Sequence, residues 1–416
     1  MAEKKPNIRF KGFEEEWEDK TLGSMGETFS GLSGKSKKDF GHGDAQYITY
    51  MNVFSNPIAS PDGVDKVEID TSQNAVHKGD ILFTTSSETP EEVGMSSVWL
   101  EEKPHTYLNS FCFGYRPIVP LDPHFSAYLM RSPKMRDAFY FLAQGISRFN
   151  ISKQKAMDIE TSIPQETEQR KIGEFFKQLD ELIGAKEQEL EKLRQIKLAL
   201  LDKMFPSDNQ ENINGGGGKS LIYKMLQNSS QLVVSSPAPN TPTIRFRGFT
   251  EPWEKKKLCS IIELNGGIDY KKLSPGNIPV YGTGGYMLSV NKALSYEKDA
   301  IGIGRKGTID KPLILHAPFW TVDTLFYAIP RERQDLNFCF CLFQIVDWKK
   351  HDESTGVPSL SKSVINSIEV LVSSNYDEQC KIGDFFRSQD EAIANSQLQI
   401  NKLKTIKQAC LSQMFA

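Results

Sequence analysis

The sequence of 416 residues predicts a mixed α/β (α+β) protein built as an internal two-fold repeat. Two variable α/β domains are each followed by one long helix, and the two helices are expected to pack antiparallel on each other. Three observations predict this. A helix-like stretch occurs twice, an aromatic marker occurs twice, and the segments between them keep a common order of strands, helix and loop.

The helical stretch runs from Glu168 to Phe205, and its second copy runs from Glu378 to Phe415 at a constant offset of 210 residues. Phe176, Leu179, Ile183, Leu190, Leu193, Leu200 and Met204 fall on one seam of the first copy. Phe386, Ile393, Ile400, Leu403, Cys410 and Met414 do so in the second. Each helix would span roughly 55 to 60 Å at 1.5 Å per residue. Neither seam can be buried alone in water. Phe176, Ile183, Leu190, Leu193 and Leu200 are therefore expected to supply one pairing surface, and Phe386, Ile393, Ile400 and Leu403 the other. Lys186, Lys197, Gln389, Ser396 and Lys407 interrupt the seam, which argues for one specific pairing over a uniform coiled coil.

The marker is IRFKGFEEEWE, from Ile8 to Glu18, echoed as IRFRGFTEPWE from Ile244 to Glu254 at an offset of 236. The chain therefore divides into a first variable domain (1–164), a first helix (165–206), a linker (207–242), a second variable domain (243–372) and a second helix (373–416). The linker is polar and rich in Gly, Ser, Asn and Pro, with a short helix expected at Leu221 to Leu226.

In the first domain Gly79 to Thr85 and Phe111 to Arg116 read as strands, and His124 to Leu142 has helical spacing broken near Pro133. In the second, Asp299 to Gly304 and Thr324 to Ile329 read as strands, and Asp335 to Trp348 as an apolar helix. A Gly-led loop follows each helix, Gly145 to Lys153 and Gly356 to Lys362.

Composition excludes several classes. The net charge of −3 is unlike a generic nucleic-acid binder, so any nucleic-acid contact must come from local basic loops or from partners. No secretory leader and no membrane span are expected, because MAEKKPNIRF has no apolar core after its charges and no apolar run approaches the ~20 residues that span a bilayer. Six scattered cysteines read as free thiols in a reducing cytoplasm.

Apparent catalytic motifs lack their context. Gly218-Lys219-Ser220 ends like a phosphate-binding loop, but the required upstream glycine is Ile213. Gly302, Gly304 and Gly307 match a dinucleotide fingerprint, yet Pro312 follows where a helix should begin. Pro61-Asp62 with Glu101-Glu102-Lys103 is too dispersed for a nuclease centre. No Pro-Pro dipeptide occurs, as an adenine methyltransferase motif would need, and the six histidines are isolated.

The duplicated marker, the duplicated EQxKIG[ED]FF helices ending in Met-Phe, GDILFTTSSETPEEVG (Gly79 to Gly94), VYGTGGYMLSVNKAL, IGIGRKGTID and FWTVDT together resemble the DNA specificity subunit of bacterial type I restriction-modification systems. The resemblance covers nearly the whole chain apart from 207–242. It implies two target recognition domains, each reading part of a split, asymmetric site in double-stranded DNA, separated by paired spacer helices. It further implies docking of two modification (methyltransferase) subunits and two restriction (translocase/nuclease) subunits, in the cytoplasm. S-adenosylmethionine, ATP and Mg are then expected in those partners, and no cofactor, metal or catalytic residue in this chain. A stand-alone restriction-methylation enzyme with a fused recognition domain is the alternative, and a purely structural coiled-coil adaptor a third reading.

Base readout needs Arg, Lys, Asn, Gln, Ser or Thr on loops that can enter a groove. In the first domain these are Lys35, Lys37 and Lys38 in GKSKKDF, Ser86 and Ser87 past a strand end, and Arg148 and Asn150 in the Gly-led loop. In the second they are Thr283, Arg305, Lys306 and Thr308, with Thr355 and Lys362 behind them. Phe10, Trp17, Phe246 and Trp253 read as packing residues, and Lys255 to Lys257 as a solvated strand end.

Overall fold

The structure is a computed structural model that describes residues 5–206, 231–235 and 238–415. It divides into two units, residues 1–187 with 398–416, and residues 188–397. Each unit therefore holds one variable domain, the N-terminal half of the helix that follows it and the C-terminal half of the other long helix.

The first unit contains a four-stranded antiparallel sheet in the order Gly26–Ser30, Cys112–Pro117, Ile81–Thr84, Ser96–Val98. A three-stranded sheet orders Val64–Val67, Phe40–Ile48 and Thr106–Leu108, the last pair parallel. A ribbon pairs Glu18–Thr21 with Glu160–Ile163. The second unit repeats all three. Its four-stranded sheet orders Ile262–Gly266, Leu325–Pro330, Ala300–Gly304 and Leu313–Leu315. Its three-stranded sheet orders Gly285–Val290, Pro275–Gly282 and Trp320–Thr321, again ending in a parallel pair. Its ribbon pairs Glu254–Lys257 with Glu369–Val372. The central strands Ile81–Thr84 and Ala300–Gly304 are buried along their whole length, which is why they read as continuous rather than alternating runs.

Helix starts follow their caps. Pro123–Leu129 begins after Asp122, and Pro133–Leu142 after Ser132, whose hydroxyl accepts from Met135 N–H. Leu336–Ile345 begins after Asp335, whose carboxylate accepts from Phe338 N–H. The expected break near Pro133 is thus a new helix start. The Gly302–Gly307 segment opens no helix. A side chain at Gly304 would lie 2.0 Å from the Thr308 carbonyl, and Gly307 sits at φ +87, so these glycines close a tight turn.

The long helices span Glu166–Met204 and Tyr376–Gln413. Their repeated opening motif has a packing role in each copy. Glu168 accepts two hydrogen bonds from the marker's Arg9, both at 2.7 Å. Glu378 accepts from Arg245 at 2.5 and 2.9 Å and from Trp253 Nε1 at 3.1 Å. The next residue ties the helix to the capped helix beside it: Gln169 accepts from Asp122 N–H at 2.9 Å, and Gln379 from Asp335 N–H at 3.1 Å. Four residues on, a side chain at Gly173 or Gly383 would strike the capping carboxylate of Asp122 or Asp335, at 2.7 and 2.2 Å. The EQxKIG pattern is thus a docking device between marker, capped helix and long helix.

The Met-Phe ends are buried in the two cores. Phe415 packs against Phe125 and Phe176, with centroids 5.6 and 5.7 Å apart. Phe205 does the same with Trp253 and Phe338, both at 5.4 Å. Full burial of such a ring stabilises by about 1.5–3 kcal/mol.

Within the first unit Lys407 meets Asp180 and Lys404 meets Glu187. Within the second Lys197 meets Asp390 and Arg194 meets Gln397. In each unit the pairing runs antiparallel. Phe176, Ile183, Leu190, Leu200, Phe386 and Ile400 are buried, while Leu193, Ile393 and Leu403 are half-buried. Lys197 and Lys407, two of the seam interruptions, are the cations of the pairs with Asp390 and Asp180.

Part of the segment assigned to the linker is structured. Leu232–Val234 pairs antiparallel with the marker strand Ile244–Phe246 and buries Leu232. The Leu221 to Leu226 helix lies outside the described residues.

Candidate nucleic-acid interface

Each unit places the turn that leaves its central strand beside the Gly-led loop, held by the same two backbone hydrogen bonds. In the first unit Thr85 N–H donates to Phe111 O at 2.9 Å, and Ile151 N–H donates to Thr85 O at 3.1 Å. In the second, Arg305 N–H donates to Thr324 O at 2.8 Å, and Leu360 N–H donates to Arg305 O at 2.9 Å. The next residue is paired in both: Ser86 with Asn150, and Lys306 with Ser359. Thr85 and Arg305 therefore occupy one structural position, as do Ser86 and Lys306, and Asn150 and Ser359. The frame is common and the side chains on it differ.

In the first frame Arg148 donates from Nε to Ser86 Oγ at 2.9 Å and lies over the Phe111 ring at 5.5 Å. Ser86 and Ser87 are buried, and Ser87 donates to Glu92 Oε2 at 2.8 Å. Arg148 and Asn150 are exposed, so these two present the donors and acceptors, while the serines position them. The expected role of Ser86 and Ser87 as outward contacts is thus shifted inward, because both lie in a strand paired with Phe149–Asn150.

In the second frame Arg305 is exposed, lies over the Phe326 ring at 5.9 Å and donates to Asp323 O at 3.5 Å. Lys306 is exposed beside it, and Thr308 is half-exposed on the closing turn. Thr283 approaches the same turn, its Oγ1 3.9 Å from where a Gly307 side chain would begin. Thr355 is exposed immediately before the Gly-led loop, and Lys362 is exposed at the first position of the helix Lys362–Ser367.

A computed family profile for the type I restriction modification DNA specificity domain matches residues 14–195 and 250–405, most of the chain. The chain belongs to that family. A curated relative, the putative type I restriction enzyme MjaX specificity subunit of Methanocaldococcus jannaschii, is 26% identical over 201 residues. That match spans 46% of this chain and 46% of that protein, so the chain aligns with about half the relative's length. The S subunit of a type I restriction-modification system from M. genitalium has a similar fold, with a TM-score of 0.62 at 16% identity, covering 99% of each chain. A chain from a structure of type I R-M complex assembly and conformational transition has a TM-score of 0.53 at 11% identity, covering 95% of this chain and 96% of that one.

In this specificity-domain chain the GKSKKDF loop stands apart from the first frame's contacts. Lys35 is bound to Asp70 at 2.7 Å and is only 16% exposed, whereas Lys37 and Lys38 are exposed. The Lys35 ammonium, with Ser72, holds the Asp70 carboxyl well below the usual carboxylate range. Lys35 is thereby committed to an intramolecular partner.

One residue escaped the sequence reading. Lys153 opens the helix Lys153–Met157 as Lys362 opens Lys362–Ser367, each after a capping serine, and Lys153 reaches Ser30 Oγ at 2.7 Å. The Ser-Lys dipeptide closing both Gly-led loops was the available signal. Phe10, Trp17, Phe246 and Trp253 pack in the cores, and Glu254–Lys257 is an exposed ribbon strand. Among the described residues no helix is long and apolar enough to cross a membrane, and no group of His, Cys, Asp and Glu could hold a metal.

Proposed function

We propose that the chain is the DNA-recognition subunit of a type I restriction-modification complex. Each unit reads one part of an asymmetric, two-part target in double-stranded DNA, and the paired helices dock two modification subunits. In this reading the chain contributes binding and no bond-making chemistry. Methyl transfer from S-adenosylmethionine belongs to the modification subunits, and ATP- and Mg-dependent translocation and cleavage to two restriction subunits, all in the cytoplasm.

One observation carries the proposal: the two units hold the same frame but offer different groups from it. Arg148 and Asn150 project from the first. Arg305 and Lys306 project from the second, with Thr308 and Thr283 beside them. Guanidinium forks and amides at groove depth discriminate base edges, and different groups on one frame suit two different half-sites. Lys37, Lys38, Thr355 and Lys362 fit phosphate contacts, which position without specifying.

The test is to map methylated adenines in host DNA with and without this gene, and then with the second variable domain replaced. A gapped, asymmetric motif that disappears with the gene, and changes in one half only on domain replacement, is expected. A continuous palindrome, or methyl transfer by the purified chain alone, would contradict the proposal.

A further inference from the structure

We propose that Arg131 and Arg136 are positioning residues for the first unit's base reading, each clamping one of the two elements that touch the strand Ser86–Ser87. The proposal rests on the reading of that strand and Arg148 as part of the DNA-contacting surface.

Arg131 follows the helix Pro123–Leu129 and Arg136 lies in the next, Pro133–Leu142. Neither makes an ion pair among the described residues. Both spend their donors on backbone carbonyls. Arg131 Nε donates to Ser96 O at 2.7 Å, and its Nη2 donates to Val53, Phe54 and Asn56 O at 3.0, 2.9 and 2.9 Å. Arg136 Nη1 donates to Gly94 O at 2.6 Å, and its Nη2 to Glu91 and Val93 O at 2.8 and 2.6 Å. Burial pushes both guanidinium groups down to about 10, so the fold pays in desolvation for keeping them there.

Each clamp leads to the reading strand by one further bond. The carbonyls held by Arg131 close the C-terminal end of the helix Tyr50–Ser55, where a cation is favoured. At the other end of that helix Tyr50 stacks on Phe54 and donates from its hydroxyl to Ser86 O at 2.7 Å. The carbonyls held by Arg136 flank Glu92, which accepts from Ser87 Oγ at 2.8 Å. Ser86 in turn accepts from Arg148 at 2.9 Å. The two forks thus fix the backs of the two supports on which Arg148 is aimed.

Among the described residues the second unit has no arginine at the two corresponding positions. Counted from the cap Asp335, the matching positions are Gln344, in the helix Leu336–Ile345, and Lys349, in the following turn Trp348–His351, where it pairs with Asp310 at 2.8 Å. An effect confined to the first unit is therefore a sharp expectation. A lysine keeps the charge but cannot replace a fork that serves three or four carbonyls.

The experiment uses the complex reconstituted with its modification subunits and three duplexes: the cognate target, one with a single change in the first half and one with a single change in the second. Arg131→Lys and Arg136→Lys should each lower first-half discrimination about tenfold, equivalent to about 1.4 kcal/mol. Second-half discrimination should stay unchanged. Equal loss at both halves, or intact first-half discrimination in a folded variant, overturns the proposal. Should either lysine variant fail to fold, Glu92→Ala and Tyr50→Phe remove the two bonds to the strand Ser86–Ser87 at the surface ends of the same routes. Each is then expected to lower first-half discrimination alone, and full discrimination in both overturns the proposal. If wild type shows no half-specific discrimination, the DNA-recognition reading fails, a result distinct from a variant that discriminates as wild type does.

Discussion

Lys197 reaches Asp390 at 2.5 Å between the two long helices of the second unit, and Lys407 makes the same pairing with Asp180 in the first. The two pairs are related by the internal repeat, so the lysines that break the apolar seam are what define its register. Lys197 also donates to Gln344 Oε1 at 2.7 Å. Lys197→Met should cost about 1–3 kcal/mol, because it strands a partly buried carboxylate. Exchanging the pair, Lys197→Asp with Asp390→Lys, should recover part of that loss. Urea denaturation of wild type, Lys197→Asp, Asp390→Lys and the exchanged pair as a double-mutant cycle measures the coupling, and additivity would show that the pair does not hold the helices.

Arg245 and Glu378 are 2% and 0% exposed, whereas Arg9 beside Glu168 retains 13%. Removing one partner of a buried pair leaves an uncompensated charge, at a cost of about 3–5 kcal/mol. Arg245→Ala should therefore destabilise its unit by that order, and Arg9→Ala by less, since water can reach the vacated carboxylate. Separate thermal transitions for the two units, followed by calorimetry, would reveal the asymmetry; equal losses would contradict it.

Asp335 caps the helix Leu336–Ile345, and burial raises its pKa, with Asp384 nearby reinforcing the shift and Arg387 opposing it. A carboxyl whose folded pKa is raised is stabilising in its neutral form. That contribution is full below the unfolded value of about 3.9 and is lost as pH rises through the higher folded value. Asparagine caps equally well without the charge. Asp335→Asn should thus gain on wild type as pH rises from 4 to 7, while Asp335→Ala should lose about 0.5–2 kcal/mol through the missing cap. Stability curves at several pH values decide the sign.

Arg305→Ala should weaken recognition of one half of the target by about 1–3 kcal/mol if the guanidinium reads a base bidentately, and Arg148→Ala should do so at the other half. Binding of duplexes substituted in each half separates the two. An equal loss at both halves for either variant would refute a local role.

Much of the architecture was legible because it is written in local patterns. The continuous apolar runs at Ile81–Thr84 and Ala300–Gly304, the turn residues after them and the caps at Asp122 and Asp335 each announce themselves over a few residues. The function of the interface was less legible, because tertiary hydrogen bonds define it. Nothing in the sequence aligns Thr85 with Arg305; only their shared backbone partners do. Lys35 read as a free loop cation until Asp70, 35 residues on, was seen to hold it. Leu232–Val234 sits in linker composition and becomes a strand because the marker strand Ile244–Phe246 offers it an edge.

The register of the long helices yields the last prediction. Glu187 meets Lys404 within the first unit, and Arg194 meets Gln397 within the second. The helix Glu166–Met204 is continuous between Glu187 and Arg194, as Tyr376–Gln413 is between Gln397 and Lys404. Adding seven residues after Glu187 alone lengthens one helix by roughly 10 Å, about two turns. The pairings of both units then cannot be satisfied at once, since one seam must slip past the other. The same insertion after Gln397 as well restores both, and seven residues nearly preserve the apolar face. The single insertion should lower the denaturation midpoint and co-purification of the modification subunits, and the matched pair of insertions should recover stability. If the double insertion is no better than the single, the two helices do not share one register, and the antiparallel pairing is not what the ion pairs specify.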